Sequence, residues 1–332
     1  MKKYKVGIVG ITGMVGRTLL KVLEERDFPV ETLYGFASEK SQGQTLKFKD
    51  QDLTVEAISP QALNKDLDFL FFSAGTGVSQ TYAPLAADKG ITVIDNSAAF
   101  RMHPEIPLVI PEVNPQALDN HKNLIANPNC STIQALVALK PLYDQYGIER
   151  IILSTYQAVS GSGVKGIEDL ERGLEGQVSR QAYAHDISKN CIPHIDVFLD
   201  NGYTKEEMKM IEETKKIFND PNLRVTATAV RVPITYAHSE SINVELKSDF
   251  NLEDVHKLYK TSDHIIHTDD PKGNCYPLAS QAQGTDQVYV GRIRRDFSLD
   301  RGLNLWVVAD NMRKGAATNA IQIAETLIRD RR

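Results

Sequence analysis

A chain of 332 residues, 42% hydrophobic and 24% charged, carries enough apolar material for a large core and has the composition of a globular protein. Its net charge of −5 gives no basic footprint for nucleic acid and no polybasic signal for a membrane surface. No apolar run approaches the ~20 residues of a membrane span, and the three cysteines (130, 191 and 275) fit neither a disulfide framework nor a zinc spacing, so a cytoplasmic protein without a metal is expected.

In chain order, MKKYKVGIVGITGMVG begins like a signal peptide, but its apolar run is short and broken by glycines, so KVGIVG reads as a first buried strand. RTLLKVLEERD follows as a helix with Leu19, Leu20 and Leu23 on one face. ETLYGFAS, LTVEAIS, LDFLFFSAG and ITVIDNS are further strands, and SQTYAPLAADKG is a helix that stops at Gly90. This alternation predicts a Rossmann-type, doubly wound parallel sheet. After position 130 the pattern changes. CSTIQALVALKPLYDQYG is a helix, RIILSTYQAVSG a strand and KEEMKMIEETKKIF a charged helix. LRVTATAVRVP, SESINVELK, QVYVGRIRRD and LNLWVVADNM then read as strands with few helices between them. That order predicts a second, α+β domain with an antiparallel or mixed sheet. A last helix covers 314–332, with Ile321, Ala324, Leu327 and Ile328 turned inward. SEKSQGQ and HTDDPKGNCYP are the expected mobile loops. The expected division is 1–128 plus 313–332 for nucleotide binding and 129–312 for catalysis and dimerisation.

The first chemical signal is the glycine loop. Gly10, Gly13 and Gly16 fall between the first strand and the first helix. Gly10 suits a tight turn, Gly13 a close backbone approach to a pyrophosphate, and Gly16 close helix–strand packing, with the helix N-terminus adding partial positive charge. The glycines stand three apart rather than in the commonest fingerprint, so the context carries the reading of a dinucleotide site. At the end of the second strand, Ser38, Lys40 and Ser41 form a small polar, cationic loop suited to a 2′-phosphate, which favours NADP(H) over NAD. Glu39 could instead accept from a free 2′-hydroxyl.

The second signal is Cys130. The turn Asn127–Pro128–Asn129 places it at the start of a helix, where the dipole and free N–H groups stabilise a thiolate and could hold an oxyanion. Cys191 and Cys275 lack that setting. A thiolate beside a nicotinamide suggests acyl-enzyme chemistry with hydride transfer.

Taken together, GITGMVG, NPNCST, YQAVSGSG, RVPITYAHSESINVE and KGAATNA closely resemble the aspartate-β-semialdehyde dehydrogenase family, in motifs that run from residue 7 to residue 320. The resemblance implies NADPH-dependent reduction of L-aspartyl-4-phosphate to L-aspartate 4-semialdehyde with release of phosphate, a step towards lysine, threonine, methionine and diaminopimelate. It implies Cys130 as nucleophile, His238 as general acid/base and Gln157 as the residue that orients the thioester. Arg231 would clamp the substrate α-carboxylate. Arg101 and Lys216, helped by Asn129, would hold the phosphate, and Glu213 the amino group, although Glu212 with Lys215 is a competing register. At the cofactor it implies Thr12, Gly13, Met14 and Val15, the 2′-phosphate residues Ser38, Lys40 and Ser41, and also Ser73, Gly75, Ser160, Gly161 and Asn319. Many members carry arginine where this chain has Lys40, which implies a weaker NADP preference. A homodimer is implied, with the second domain's sheet at the interface. The alternatives are an N-acetyl-γ-glutamyl-phosphate reductase, a glyceraldehyde-phosphate-type enzyme and a non-catalytic dinucleotide sensor.

Overall fold

The computed structural model describes residues 2–330, so the last two positions of the helix expected over 314–332 lie outside the described residues. The chain divides into two compact units, Met1–Asn129 with Ala316–Arg332, and Cys130–Gly315.

The first unit opens with β1 (Tyr4–Val9), α1 (Met14–Glu25) and β2 (Val30–Ala37), followed by the hairpin β3 (Thr45–Phe48) and β4 (Gln51–Ala57). Then come β5 (Phe69–Phe72), α2 (Thr76–Asp88), β6 (Thr92–Asp95) and β7 (Leu124–Ala126). The strands form one sheet in the order β3-β4-β2-β1-β5-β6-β7. All neighbours are parallel except β3 with β4. The antiparallel edge departs from the expected all-parallel sheet. Its cause is the short turn at Lys49–Asp50, where Lys49 takes φ 51 and Phe48 pairs with Gln51. The central strands are continuous apolar runs, and Phe69, Phe71 and Phe72 have no exposed surface. Each such ring contributes on the order of 2–3 kcal/mol by leaving water. The chain leaves β1 for β2 on one side and returns as β5 on the other, so the carboxyl ends of β1 and β5 flank a topological switch point.

The second unit starts with α3 (Cys130–Tyr146), β8 (Ile148–Gln157), α4 (Val164–Leu174), α5 (Lys205–Ile217), β9 (Arg224–Arg231) and β10 (His238–Leu246). It continues through α6 (Leu252–Lys260), β11 (Ile265–His267), α7 (Ala279–Ala282), β12 (Val288–Asp296) and β13 (Gly302–Ala309). Its sheet runs β11-β12-β13-β10-β8-β9 and is mixed, with β11–β12 and β8–β9 parallel and the remaining pairs antiparallel. One face is covered. In β10, His238, Glu240, Ile242, Val244 and Leu246 are buried while the residues between them are partly open. Helix α3 lies on the covered face and is buried from Ser131 to Leu139 on every side. A helix apolar all round belongs at the centre of a fold.

The chain re-enters the first unit through a π-helical stretch, Arg313–Thr318, and closes with α8 (Asn319–Asp330). The sequence pattern predicts one regular helix here. The wider turns begin where Asp310 Oδ1 accepts the N–H groups of Met312 (2.8 Å) and Arg313 (3.1 Å). Ile321, Ala324, Leu327 and Ile328 pack into the core with β1 and α1, as their spacing predicts. Among the described residues no helix is long and apolar enough to cross a membrane.

Candidate functional site

In the first unit the candidate nucleotide residues gather at the carboxyl ends of β1, β2 and β5. Gly10 turns with φ 84, and an added Cβ would stand 2.8 Å from the backbone of Ser73. At Gly16 a Cβ would fall 2.2 Å from the Gly10 carbonyl oxygen, so helix α1 can lie on the loop only because position 16 has no side chain. Gly13 is the N-cap of α1, and its N–H donates to Gly10 O at 3.0 Å. The first-turn N–H groups, at Met14, Val15 and Gly16, have no intrahelical acceptor and face the loop side. No acidic residue occupies that turn. This cradle fits a pyrophosphate. The Thr12 carbonyl accepts from Arg17 Nε at 3.1 Å, which braces the loop. Ser73 Oγ donates to Val9 O at 3.0 Å, joining the ends of β5 and β1. Gly75 caps α2, with open space where its side chain would be. Ser38, Glu39 and Lys40 are exposed just past β2, in a single 3₁₀ turn with Ser41.

Arg101 is buried in this unit, and its Nη2 donates to Asn96 O at 2.7 Å. Asn319 begins α8 in the first unit. It is fully buried, and Nδ2 donates to Val109 O (3.0 Å) and to Asn127 Oδ1 (2.7 Å). These two amide bonds brace the Asn127–Asn129 turn.

In the second unit Cys130 opens α3, half-buried. One turn later Gln134 Nε2 donates to the His238 carbonyl at 3.3 Å, tying the cysteine's helix to the histidine's strand. His238 is fully buried. Its Nδ1 accepts the Ala158 N–H at 3.0 Å, and its Nε2 is buried without a partner. Burial, reinforced by the Arg231 charge, holds its pKa well below the ordinary histidine range. The ring is therefore neutral, with its proton on Nε2. Just before it, Ala237 sits at φ 69, uncommon for a residue with a side chain, and its N–H is held by Asn311 Oδ1 at 3.1 Å.

Arg231 closes β9. Its Nη1 donates to Ala158 O at 2.6 Å, and its guanidinium lies 6.0 Å from the Tyr183 ring centroid. One residue, Ala158, thus receives Arg231 on its carbonyl and His238 on its amide. Gly161 is beside both: a Cβ there would reach Arg231 Nη1 at 2.8 Å and His238 Nε2 at 3.6 Å. Ser160 is buried and bonded to Asn311. Gln157 ends β8, its Nε2 bonded to Thr155 Oγ1 (3.2 Å) and Glu206 Oε1 (3.4 Å).

On α5, Thr204 and Glu207 form a capping box, and Glu207 also accepts the Ala229 N–H at 3.0 Å. Glu213 is buried and Glu212 exposed, so of the two registers the structure buries 213. Burial lowers the Lys216 pKa to about 8, opposed by the neighbouring Glu213 carboxylate.

These parts match known sequences along their whole length. Residues 5–121 match the family model described as semialdehyde dehydrogenase, NAD binding domain, and residues 139–314 match semialdehyde dehydrogenase, dimerisation domain. The aspartate-semialdehyde dehydrogenase of Aquifex aeolicus is 52% identical over 335 residues, covering 98% of each chain. The chain belongs to the aspartate-semialdehyde dehydrogenase family. Among solved structures, that of aspartate semialdehyde dehydrogenase II from Vibrio cholerae, complexed with ASA, is similar at a TM-score of 0.94 and 48% identity, covering 99% of each chain. The Candida albicans enzyme with NADP is similar at a TM-score of 0.79 and 26% identity, covering 98% of each chain.

Against that family background, three residues of the site have roles that sequence reasoning did not assign. Ala158 acts through its backbone, Asn311 through contacts formed on folding, and Gly315 through absence, since a Cβ there would stand 2.8 Å from Cys130 Cβ. Ala158 and Gly315 lie inside the YQAVSGSG and KGAATNA motifs, and Asn311 lies in neither.

Proposed function

We infer that the protein is an NADP-dependent, phosphorylating aspartate-semialdehyde dehydrogenase that reduces L-aspartyl-4-phosphate to L-aspartate 4-semialdehyde. The observation that carries this reading is the 52% identity maintained over 98% of both chains. The first unit is proposed to bind the dinucleotide. The second is proposed to do the acyl chemistry and to form the homodimer through the open face of its sheet. That face holds a groove of about 1090 Å³ lined by Tyr156, Tyr276, Leu278 and Trp306. A cytoplasmic setting is proposed.

In the proposed sequence the Cys130 thiolate attacks the acyl carbon, and the first-turn N–H groups of α3 hold the oxygen as it becomes negative. The carbon–oxygen bond to phosphate breaks, leaving a thioester on Cys130. Lys216, whose pKa of about 8 lies near working pH, is proposed with Arg101 and Asn129 to receive the phosphate. NADPH, when bound, supplies the hydride that converts the thioester to a thiohemiacetal oxyanion. That oxyanion collapses to the aldehyde and returns the electron pair to sulfur, so with a thiolate nucleophile no net proton moves at this step. The neutral tautomer of His238 suits such a step, because its Nε2–H can donate to the oxyanion without leaving the ring. Arg231 and Glu213 are proposed for the substrate's α-carboxylate and amino group, and Gln157 for holding the thioester.

The test is NADP⁺ reduction by purified protein with L-aspartate semialdehyde and phosphate, with N-acetylglutamate semialdehyde and NAD⁺ in parallel. Reduction that requires both phosphate and the aspartate aldehyde is expected. Activity with the acetylated aldehyde alone would reassign the substrate, and dinucleotide binding without turnover would point to a sensor. In the same assay Lys40→Ala is expected to raise KM for NADP⁺ by roughly fivefold and leave that for NAD⁺ unchanged, because one exposed charge on the 2′-phosphate is lost. Equal effects on both cofactors would remove Lys40 from that role.

A further inference from the structure

Away from the residues above, three side chains of the second unit converge at the edge of its sheet. His256 lies on α6, His267 ends β11, and Asp269 follows two residues later. His256 Nδ1 stands 3.0 Å from His267 Nε2 and 4.0 Å from Asp269 Oδ2. All three candidate ligand atoms fall within 4.8 Å of one another, and this is the single such His/Cys/Asp/Glu group among the described residues. The backbone holds the group in place. Asp269 Oδ2 accepts the Ile293 N–H at 2.8 Å, inside the bulge of β12 between Gly291 and Arg294, and the Asp269 side chain is only 2% exposed. The imidazoles meet nearly edge to face, at 88°, with ring nitrogens facing.

Two facing imidazole nitrogens need something between them. A single shared proton satisfies the pair but leaves the nearby carboxylate with its backbone bond from Ile293 and the Arg294 charge in its neighbourhood. A divalent cation satisfies all three. Ligands around a tetrahedral zinc with bonds of ~2.0 Å stand about 3.3 Å apart, so the imidazole nitrogens, 3.0 Å apart, would spread slightly and the carboxylate oxygen, 4.0 Å from His256 Nδ1, would draw in. Two imidazoles and one carboxylate suit a borderline cation such as Zn²⁺ and are a poor set for Mg²⁺ or Ca²⁺, which take oxygen. Lys260 lies close enough to act on His267, which works against a dication and argues for a site of moderate affinity.

We propose that His256, His267 and Asp269 bind one Zn²⁺ that ties helix α6 to the edge strand β11, with water completing the shell. The ion would fasten the start of the 268–278 segment, whose Pro271, Asn274, Tyr276 and Pro277 line the groove on the open face of the sheet. The sequence gives no warning, because the ligands follow no zinc spacing and only the fold of α6 against β11 brings them together.

The test is Co²⁺ titration of the tag-free, full-length protein, read by visible absorption, with Zn²⁺ competition. One Co²⁺ per chain is expected, with ligand-field bands and no thiolate charge-transfer band, displaced by Zn²⁺. His256→Gln and His267→Gln should each weaken it at least about 100-fold, since losing a ligand exceeds the loss of an outer partner. Both variants keep Cys130, so their turnover and metal-free thermal midpoints, expected to match the parent, report intact folding. Thiolate bands would place the ion on a cysteine and overturn the proposal. So would binding that survives both histidine variants, or the absence of any saturable uptake at millimolar metal.

Discussion

Cys130→Ala is expected to abolish phosphate-dependent turnover in both directions, by at least about 10⁴-fold, while NADPH binding is unchanged. The size of the effect follows from covalency. Without the sulfur there is no thioester, and the remaining N–H groups and charges cannot replace a bond. Binding should survive because the glycine loop, the Ser38–Ser41 turn and the Ser73–Gly75 segment all lie in the first unit, whereas Cys130 begins the second. Alanine also keeps the Cβ that Gly315 is shaped to meet, so the helix start is undisturbed. Steady-state rates and an NADPH fluorescence titration on the same sample separate the two quantities. Turnover within about tenfold of the parent would remove Cys130 from the role of nucleophile.

The second expectation concerns a residue outside the chemistry. Glu240→Gln should stabilise the protein increasingly as pH rises. Glu240 shares the covered face of β10 with His238, pairs in register with Thr155 and Val307, and has no exposed surface. Neither of its carboxylate oxygens has a hydrogen-bond partner, and burial pushes its pKa well above the usual carboxylate range. It is therefore folded as the neutral acid. A group whose folded pKa is raised contributes its full stability below the unfolded value, and that contribution is lost as pH climbs towards the folded value. Glutamine keeps the shape and carries no proton to lose. The difference between variant and parent should be small near pH 4 and then grow by about 1.4 kcal/mol per pH unit. Denaturant midpoints of both proteins at pH 5, 6 and 7 would reveal the slope, and a constant difference would mean that Glu240 folds ionised.

Most of the fold could be read from periodicity, because the buried strands are continuous apolar runs and the helices repeat their apolar residues on one face. What escaped was short, polar or non-local. TLKF alternates with exposed residues at the sheet's edge, and LIA is too brief to stand out before the Asn-Pro-Asn turn. Helices α4 and α6 are also absent from that reading, although their apolar residues repeat on one face; each is short and nearly half charged. At the candidate site, residue types that do chemistry announced themselves through motifs. The groups that hold them did not, since Ala158 meets Arg231 across 73 residues and His238 across 80.

The double use of Ala158 has a mechanical corollary. Its extended backbone, φ −64 and ψ 150, leaves two torsions between the amide that holds the imidazole and the carbonyl that holds the guanidinium. The two side chains are in effect gauged from one Cα. When the end of β8 breathes, both travel with it, and the spacing between them is conserved even though their positions are not. If Arg231 grips one end of the substrate and His238 attends the reacting carbon, that spacing is a ruler for chain length. An acid one methylene longer or shorter would then be penalised as misalignment at the carbon rather than as weaker capture.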